Sequence, residues 1–167
     1  LTLDSGDGRR QLTRRQQARV DSVHRGYELT IEGGGGAGPE RFLVWERVLA
    51  LTCAPEPVQE SIAQLPGKWP LLRHATVSIA VPTVVVPEPG TFSIFLPTPL
   101  ETGLATHVNA PFFGDMSRTH IDFGDAESAA ESPAAVYNGY LLGQAAELAI
   151  AVISEELAGQ SVEAACA

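Results

Sequence analysis

Four histidines, two cysteines and one late arginine are the residues from which chemistry could be built in this chain. His24, His74, His107 and His120 never pair at the spacing that puts two imidazoles on one helix face for a metal ion. Cys53 and Cys166 have neither metal-ligand spacing nor the pattern of a disulfide framework. Serines and histidines are present, but no Gly-x-Ser-x-Gly elbow exposes a nucleophile, so a hydrolase triad has no support. Arg118 stands apart. It is the last Lys or Arg of the chain and lies in the stretch FLPTPLETGLATHVNAPFFGDMSRTHIDF, residues 95–123. Composition alone does not explain its place, and its plain reading is a surface ion pair with Asp115, Asp122 or Asp125, worth at most about 1 kcal/mol. In the same stretch His107 and Asn109 read as polar residues satisfying a bent strand, and Phe112 and Phe113 as core.

Charge narrows the partners. The formal net charge of −9 argues against nonspecific binding to nucleic acid or to an anionic membrane. Its distribution is uneven: Arg9, Arg10, Arg14, Arg15, Arg19 and Arg25 crowd the N-terminal end, while only acids such as Glu147, Glu155 and Glu163 follow Arg118. The blocks read first as solvated faces of opposite sign, and second as a basic patch for phosphate or an acidic partner domain. With 44% hydrophobic and 19% charged residues the chain is globular, and 167 residues suit one domain, 1–167, with a real core. Two cysteines fit a reducing, cytoplasmic setting. No apolar run reaches the length of a membrane span, and no signal peptide is visible. The chain opens on Leu1, and LTLDSG reads like the tail of a strand, so a piece of a longer protein is expected. Asp4-Ser5-Gly6-Asp7-Gly8 matches an Asp-x-Gly-x-Gly nucleotide motif in form only. No helix carrying Glu and Asn precedes it, and it reads as a turn.

The elements that must position these residues form an α+β pattern: a mixed or antiparallel sheet with a short helix and a long C-terminal helix packed on one face. YELTIE (27–32) alternates as a half-buried strand does. RFLVWERVLAL (41–51) is a second strand, joined to the first through the glycine-rich tip GGGGAGPE (33–40). EPVQESIAQL (56–65) is a short helix with Pro57 in its first turn, ended by Pro66-Gly67. HATVSIAVPTVVV (74–86), bent or at an edge because of Pro82, and GTFSIFLP (90–97) are strands flanking the turn sequence Pro87-Glu88-Pro89-Gly90. One more short strand lies near ATHVNA (105–110). Ser132 and Pro133 are an N-cap and a first helical residue. The helix that follows carries two apolar rows, Tyr137, Leu141, Ala145, Leu148, Val152 and Leu142, Ala146, Ala149, Ile153, Leu157, and is expected to stop near Gly159.

The stretch around Arg118 resembles a segment of the sacsin-like members of the GHKL ATPase superfamily, which includes gyrase and the ninety-kilodalton heat-shock chaperones. In that group a strand ending in Leu-Pro leads to Thr-Gly-Leu, a His/Asn strand, a Phe and then Ser-Arg. Here these are Leu96-Pro97, Thr102-Gly103-Leu104, His107-Val108-Asn109, Phe112 and Ser117-Arg118. Asn138 looks like the family's asparagine near the start of a Leu/Ala-rich helix, and ERFLVWERV is similar to the strand that follows the ATP-binding fold. The likeness covers the C-terminal half of the chain and is loose before residue 73. Thr119 stands where the family usually has a second arginine, and Tyr137 where it often has tryptophan.

The resemblance implies a middle or transducer domain that lacks the nucleotide fold itself. In the heat-shock chaperones a Ser-Arg loop of that domain reaches the γ-phosphate of ATP held next door. By this likeness Arg118 would be the catalytic contact, Ser117 would orient its loop, and Asn109 and His107 would shape the loop's base. ATP and Mg2+ would belong to the adjacent ATP-binding domain, and a client or partner protein could follow. The alternative from another class is a non-catalytic protein–protein interaction module, using the sheet face or the N-terminal arginines.

Overall fold

A computed structural model describes residues 2–5, 8–20, 24–32, 39–84, 88–115, 120–124 and 132–165. Arg118 and Ser117, residues 33–38 of the glycine-rich tip and Cys166 lie outside them.

The fold is α+β, as the sequence predicts. Among the described residues eight strands make one mixed sheet: β1 (Thr2–Ser5), β2 (Gly8–Val20), β3 (His24–Glu32), β4 (Glu40–Ala50), β5 (His74–Pro82), β6 (Thr91–Ile94), β7 (Leu96–Glu101) and β8 (His107–Asn109). Their spatial order is β1-β2-β3-β4-β5-β8-β6-β7. All neighbours are antiparallel except β6 and β8, which run parallel. Ser5 lies opposite Gly8 where β1 pairs with β2, and Gly6-Asp7 of the expected turn lie outside the described residues. β2 carries five arginines and few apolar residues, so periodicity gives no sign of it; its evidence is the pairing with β3.

The expected hairpin of β3 and β4 is present, with Tyr27 opposite Val44 and Ile31 opposite Glu40. Between β4 and β5 come a single 3-10 turn (Leu51–Cys53), the helix α1 (Glu56–Gln64) and a second 3-10 turn (Trp69–Leu71). Pro57 occupies the first turn of α1, where its missing N–H costs nothing. Pro82 ends β5, two residues past the Ala80–His107 pair that closes the β5–β8 ladder.

One expectation changes in the next segment. GTFSIFLP is not one strand. Phe95 takes φ 63 and folds the chain back, so that Ile94 pairs with Leu96 and two strands form an antiparallel pair. β8 returns to lie between β5 and β6. That return packs backbone on backbone: a Cβ on Gly90 would sit 2.2 Å from the Thr106 carbonyl oxygen. Thr102 secures the connection, its N–H donating to the Gly90 carbonyl at 2.8 Å and its hydroxyl lying 2.8 Å from the Thr106 carbonyl oxygen.

The long helix α2 (Pro133–Ala165) starts where Ser132 caps it and runs through Gly159 rather than stopping there. A glycine inside a helix costs only about 1 kcal/mol, and helix-forming residues follow. Its first apolar row is core: Tyr137, Leu141, Ala145, Leu148 and Val152 are all buried, and Ala149 of the second row packs against the same cluster. They meet Ala75, Val77 and Ile79 of β5, Leu49 of β4, and Val58 and Ile62 of α1 in one cluster. Each large side chain so buried contributes roughly 2 kcal/mol. The second row lies to the side of this line, and Ile153 is 58% exposed. Arg47 on β4 reaches up to Gln144 and Glu147, tying helix to sheet. The segment Pro133–Ser154 does pass the length and composition test for a membrane span, unlike the reading of the sequence, yet its inner row is the core of this sheet.

Candidate functional site

The chain leaves β8 through Ala110, whose N–H donates to the Ser93 carbonyl at 3.2 Å. Pro111, Phe112 and Phe113 then lead to a bridge between Gly114 and Ile121. One residue further out, the Asp115 N–H donates to the His120 carbonyl at 3.3 Å, and the His120 N–H to Asp115 Oδ1 at 3.4 Å. These bonds join the two legs of a loop whose outer residues are 116–119, the interval that contains Ser117 and Arg118. A Cβ added at Gly114 would lie 2.6 Å from Cδ1 of Ile94, the end of a side chain that can shift, and 3.1 Å from the His120 carbonyl oxygen.

The first two turns of α2 hold both legs. Asn138 is fully buried. Its Oδ1 accepts the Phe113 N–H, and its amide donates to the carbonyls of Phe113 and Asp122, all three at 2.8 Å. One side chain therefore satisfies backbone groups on either side of the 114–121 loop. One residue earlier, the Tyr137 hydroxyl donates to the Pro111 carbonyl at 3.1 Å, and burial pushes its phenol well above the usual range. Ser132 Oγ accepts the Ala135 N–H at 3.0 Å as the helix cap and donates to Asp122 Oδ2 at 2.5 Å. The Gly124 N–H donates to the other carboxylate oxygen at 2.9 Å. The Ser132 hydroxyl first, then the Gly124 N–H, hold the Asp122 carboxyl below its ordinary range, with a smaller contribution from His120 and against partial burial. Asp122 is thus a fixed carboxylate beside the loop.

Against the outer side of this base lies an open cavity of about 600 Å3. It is lined by the aromatic rings of Trp69 and Phe113, by Ala134 and Pro66-Gly67, and by Asp115, His120 and Asp122. Trp69 is set edge-on to Phe113 and Tyr137, with ring centroids 5.4 and 5.6 Å apart, so it is anchored to the same helix that holds the loop. Among the described residues no trio of His, Cys, Asp or Glu is close enough to hold a metal ion.

His107 and Asn109 have other work. His107 Nδ1 accepts the Thr91 N–H at 3.1 Å, and its ring meets Phe42 edge-on at 5.6 Å. Asn109 Oδ1 accepts the N–H of Phe95 at 3.1 Å, at the reversal between β6 and β7. Both side chains brace β6 against β8, and neither lines the cavity. Phe112 is fully buried core, whereas Phe113 is half-buried and faces the cavity. Sequence reasoning missed Trp69 and the Ser132–Asp122 pair. An isolated Trp-Pro after a helix stop was the available sign of the first. The second is ten residues apart across segment 125–131, and no spacing rule reveals it. Comparison of the chain with protein-family models, with curated proteins and with solved structures finds no match.

Proposed function

We propose that the chain is the coupling domain of a sacsin-like, chaperone-type ATPase, in which the 114–121 loop offers Arg118 to the γ-phosphate of ATP held by an adjacent domain. The observation that supports this reading is the construction of the loop base. A fully buried Asn138 bonds both legs, a backbone bridge closes them, and the N-terminal end of a long core helix anchors the assembly. A phosphate contact delivered across a domain boundary needs such a rigid mount, since a misplacement of about 1 Å can cost about 100-fold in rate. An arginine supplied this way stabilises charge developing on the transferred phosphoryl group. ATP and Mg2+ would be held by the neighbouring domain; this chain would contribute position and one guanidinium, with Ser117 orienting the loop.

The test is steady-state ATP hydrolysis by the full-length protein and its Arg118→Ala variant, with ATP affinity measured alongside. Turnover is expected to fall at least about tenfold, roughly 1.4 kcal/mol of barrier, while ATP still binds. Unchanged turnover would overturn the coupling reading and favour the interaction module.

A further inference from the structure

Phe95 is held against its own preference. It is the single residue of the reversal between β6 and β7, since Ile94 pairs with Leu96, and its φ of 63 lies in the left-handed region that a side chain with a β-carbon opposes. Among the described residues no other non-glycine takes a positive φ. Glycine would make the same turn without strain. The fold instead assigns a side chain to hold Phe95 there, with Asn109 Oδ1 accepting its N–H at 3.1 Å. The ring returns nothing to the core: Phe95 is 76% exposed and Leu96 beside it 58%. Nor does Phe95 join the ring contacts that link Phe92, Phe112 and Phe123. A strained backbone that raises an aromatic side chain into solvent marks a contact surface, because rings of this kind anchor interfaces.

Two observations say what it contacts. Ile94, the residue before Phe95, stands against Gly114 at the base of the 114–121 loop, and Ser93 accepts the N–H of Ala110, from which the chain runs into that loop. The tip and the loop therefore leave the same end of the sheet. The adjoining edge is also closed to strand addition. Of the six residues of β7, Pro97 and Pro99 have no N–H, and the Leu100 N–H is taken by Thr98 Oγ1 at 3.2 Å. Contact at this edge is made by side chains rather than by added backbone.

We infer that Phe95, with Leu96 beside it, is the apolar anchor by which this chain docks on the neighbouring domain that receives the 114–121 loop, the ring seating in an apolar pocket of that domain when ATP is bound. Such an anchor rests on the coupling role proposed for the loop and fixes how the loop approaches the phosphate. Phe95 is then a positioning residue for Arg118, not a contact of the nucleotide.

The test uses the full-length protein with p-benzoylphenylalanine in place of Phe95. It is irradiated with and without Mg2+ and adenylyl imidodiphosphate, a non-hydrolysable ATP analogue, and the cross-linked peptides are mapped by mass spectrometry. Cross-links are expected in the ATP-binding domain and are expected to become several-fold more abundant with the analogue. Phe95→Gly relieves the strain and removes the ring, so it separates docking from folding. Its Tm is expected to stay the same or rise, while turnover falls about threefold or more with ATP affinity unchanged. Phe95→Trp, which keeps a large ring, is expected to keep turnover. Cross-links confined to a second copy of the chain, to lipid or to no polypeptide would overturn the anchor. A lower Tm for Phe95→Gly would do so too, since the ring would then belong to the fold. Unchanged turnover in Phe95→Gly beside a loss in Arg118→Ala would overturn the anchor and leave the coupling role standing. Unchanged turnover in Arg118→Ala, with cross-links still in the ATP-binding domain, would overturn the coupling role and leave the docking contact standing.

Discussion

Replacing Asn138 by alanine is the sharpest probe of how the loop is built. The side chain is fully buried and makes three hydrogen bonds at 2.8 Å to backbone groups of Phe113 and Asp122. Alanine leaves one N–H and two carbonyls without that partner. At about 1 kcal/mol for each bond, the loss is about 3 kcal/mol. For a domain of this size that corresponds to a fall of about 6–12 °C in Tm. Guanidinium unfolding at pH 7, followed by far-ultraviolet circular dichroism, measures it directly, with the slope expected to stay constant because the surface exposed on unfolding is the same. Asn138→Asp keeps the acceptor for the Phe113 N–H but turns a charge toward two carbonyl oxygens, so it is expected to lose more than alanine does. Amide exchange at Phe113 should accelerate in both variants. A loss below about 1 kcal/mol for Asn138→Ala, with Phe113 still protected, would mean that water or a shifted backbone replaces the bonds, and the clamp would be refuted.

Two further outcomes follow from the same geometry. Gly90→Ala places a Cβ 2.2 Å from the Thr106 carbonyl oxygen, a backbone atom that cannot swing aside; the variant is expected to lose about 2 kcal/mol or more, read by thermal unfolding, and a change under about 0.5 kcal/mol would contradict the packing of β8's return. Asp122 is a carboxyl whose folded-state pKa is depressed, chiefly by the Ser132 hydroxyl and the Gly124 N–H. Its stabilisation is therefore complete above the unfolded value of about 3.9 and is lost as pH falls through the lower folded value. Asp122→Asn should flatten the acid limb of stability against pH below about pH 4, and an unaltered acid limb in that variant would assign the effect elsewhere.

Local chemistry made much of the fold legible. Alternation in 27–32 and the apolar run of 41–51 identify β3 and β4, and Pro57 with Pro66-Gly67 brackets α1. Ser132-Pro133 marks the start of α2, and the row from Tyr137 to Val152 marks its buried side. These succeed because capping, proline geometry and periodic burial act over a few residues. β2 escaped because its polar, arginine-rich run carries no burial signal. The break at Phe95 escaped because FSIFL has no glycine or proline to announce a turn.

What the sequence alone determines here is the class of the fold, the places where its helices begin, the acidic balance, and the isolation of Arg118 in a segment of unusual composition. Tertiary structure decided the rest. Phe95 adopts φ 63 with its N–H bonded to Asn109, fourteen residues later, so a reversal that local propensity opposes is supported by a distant side chain. β8 inserts between β5 and β6, which brings Gly90 against Thr106. Asn138 reaches back 25 residues to Phe113 and 16 to Asp122, and Trp69 meets Phe113 from another connection. The reason is common to all of them. A buried polar group must find its partner wherever the packed chain puts one, and no rule of short spacing records that distance.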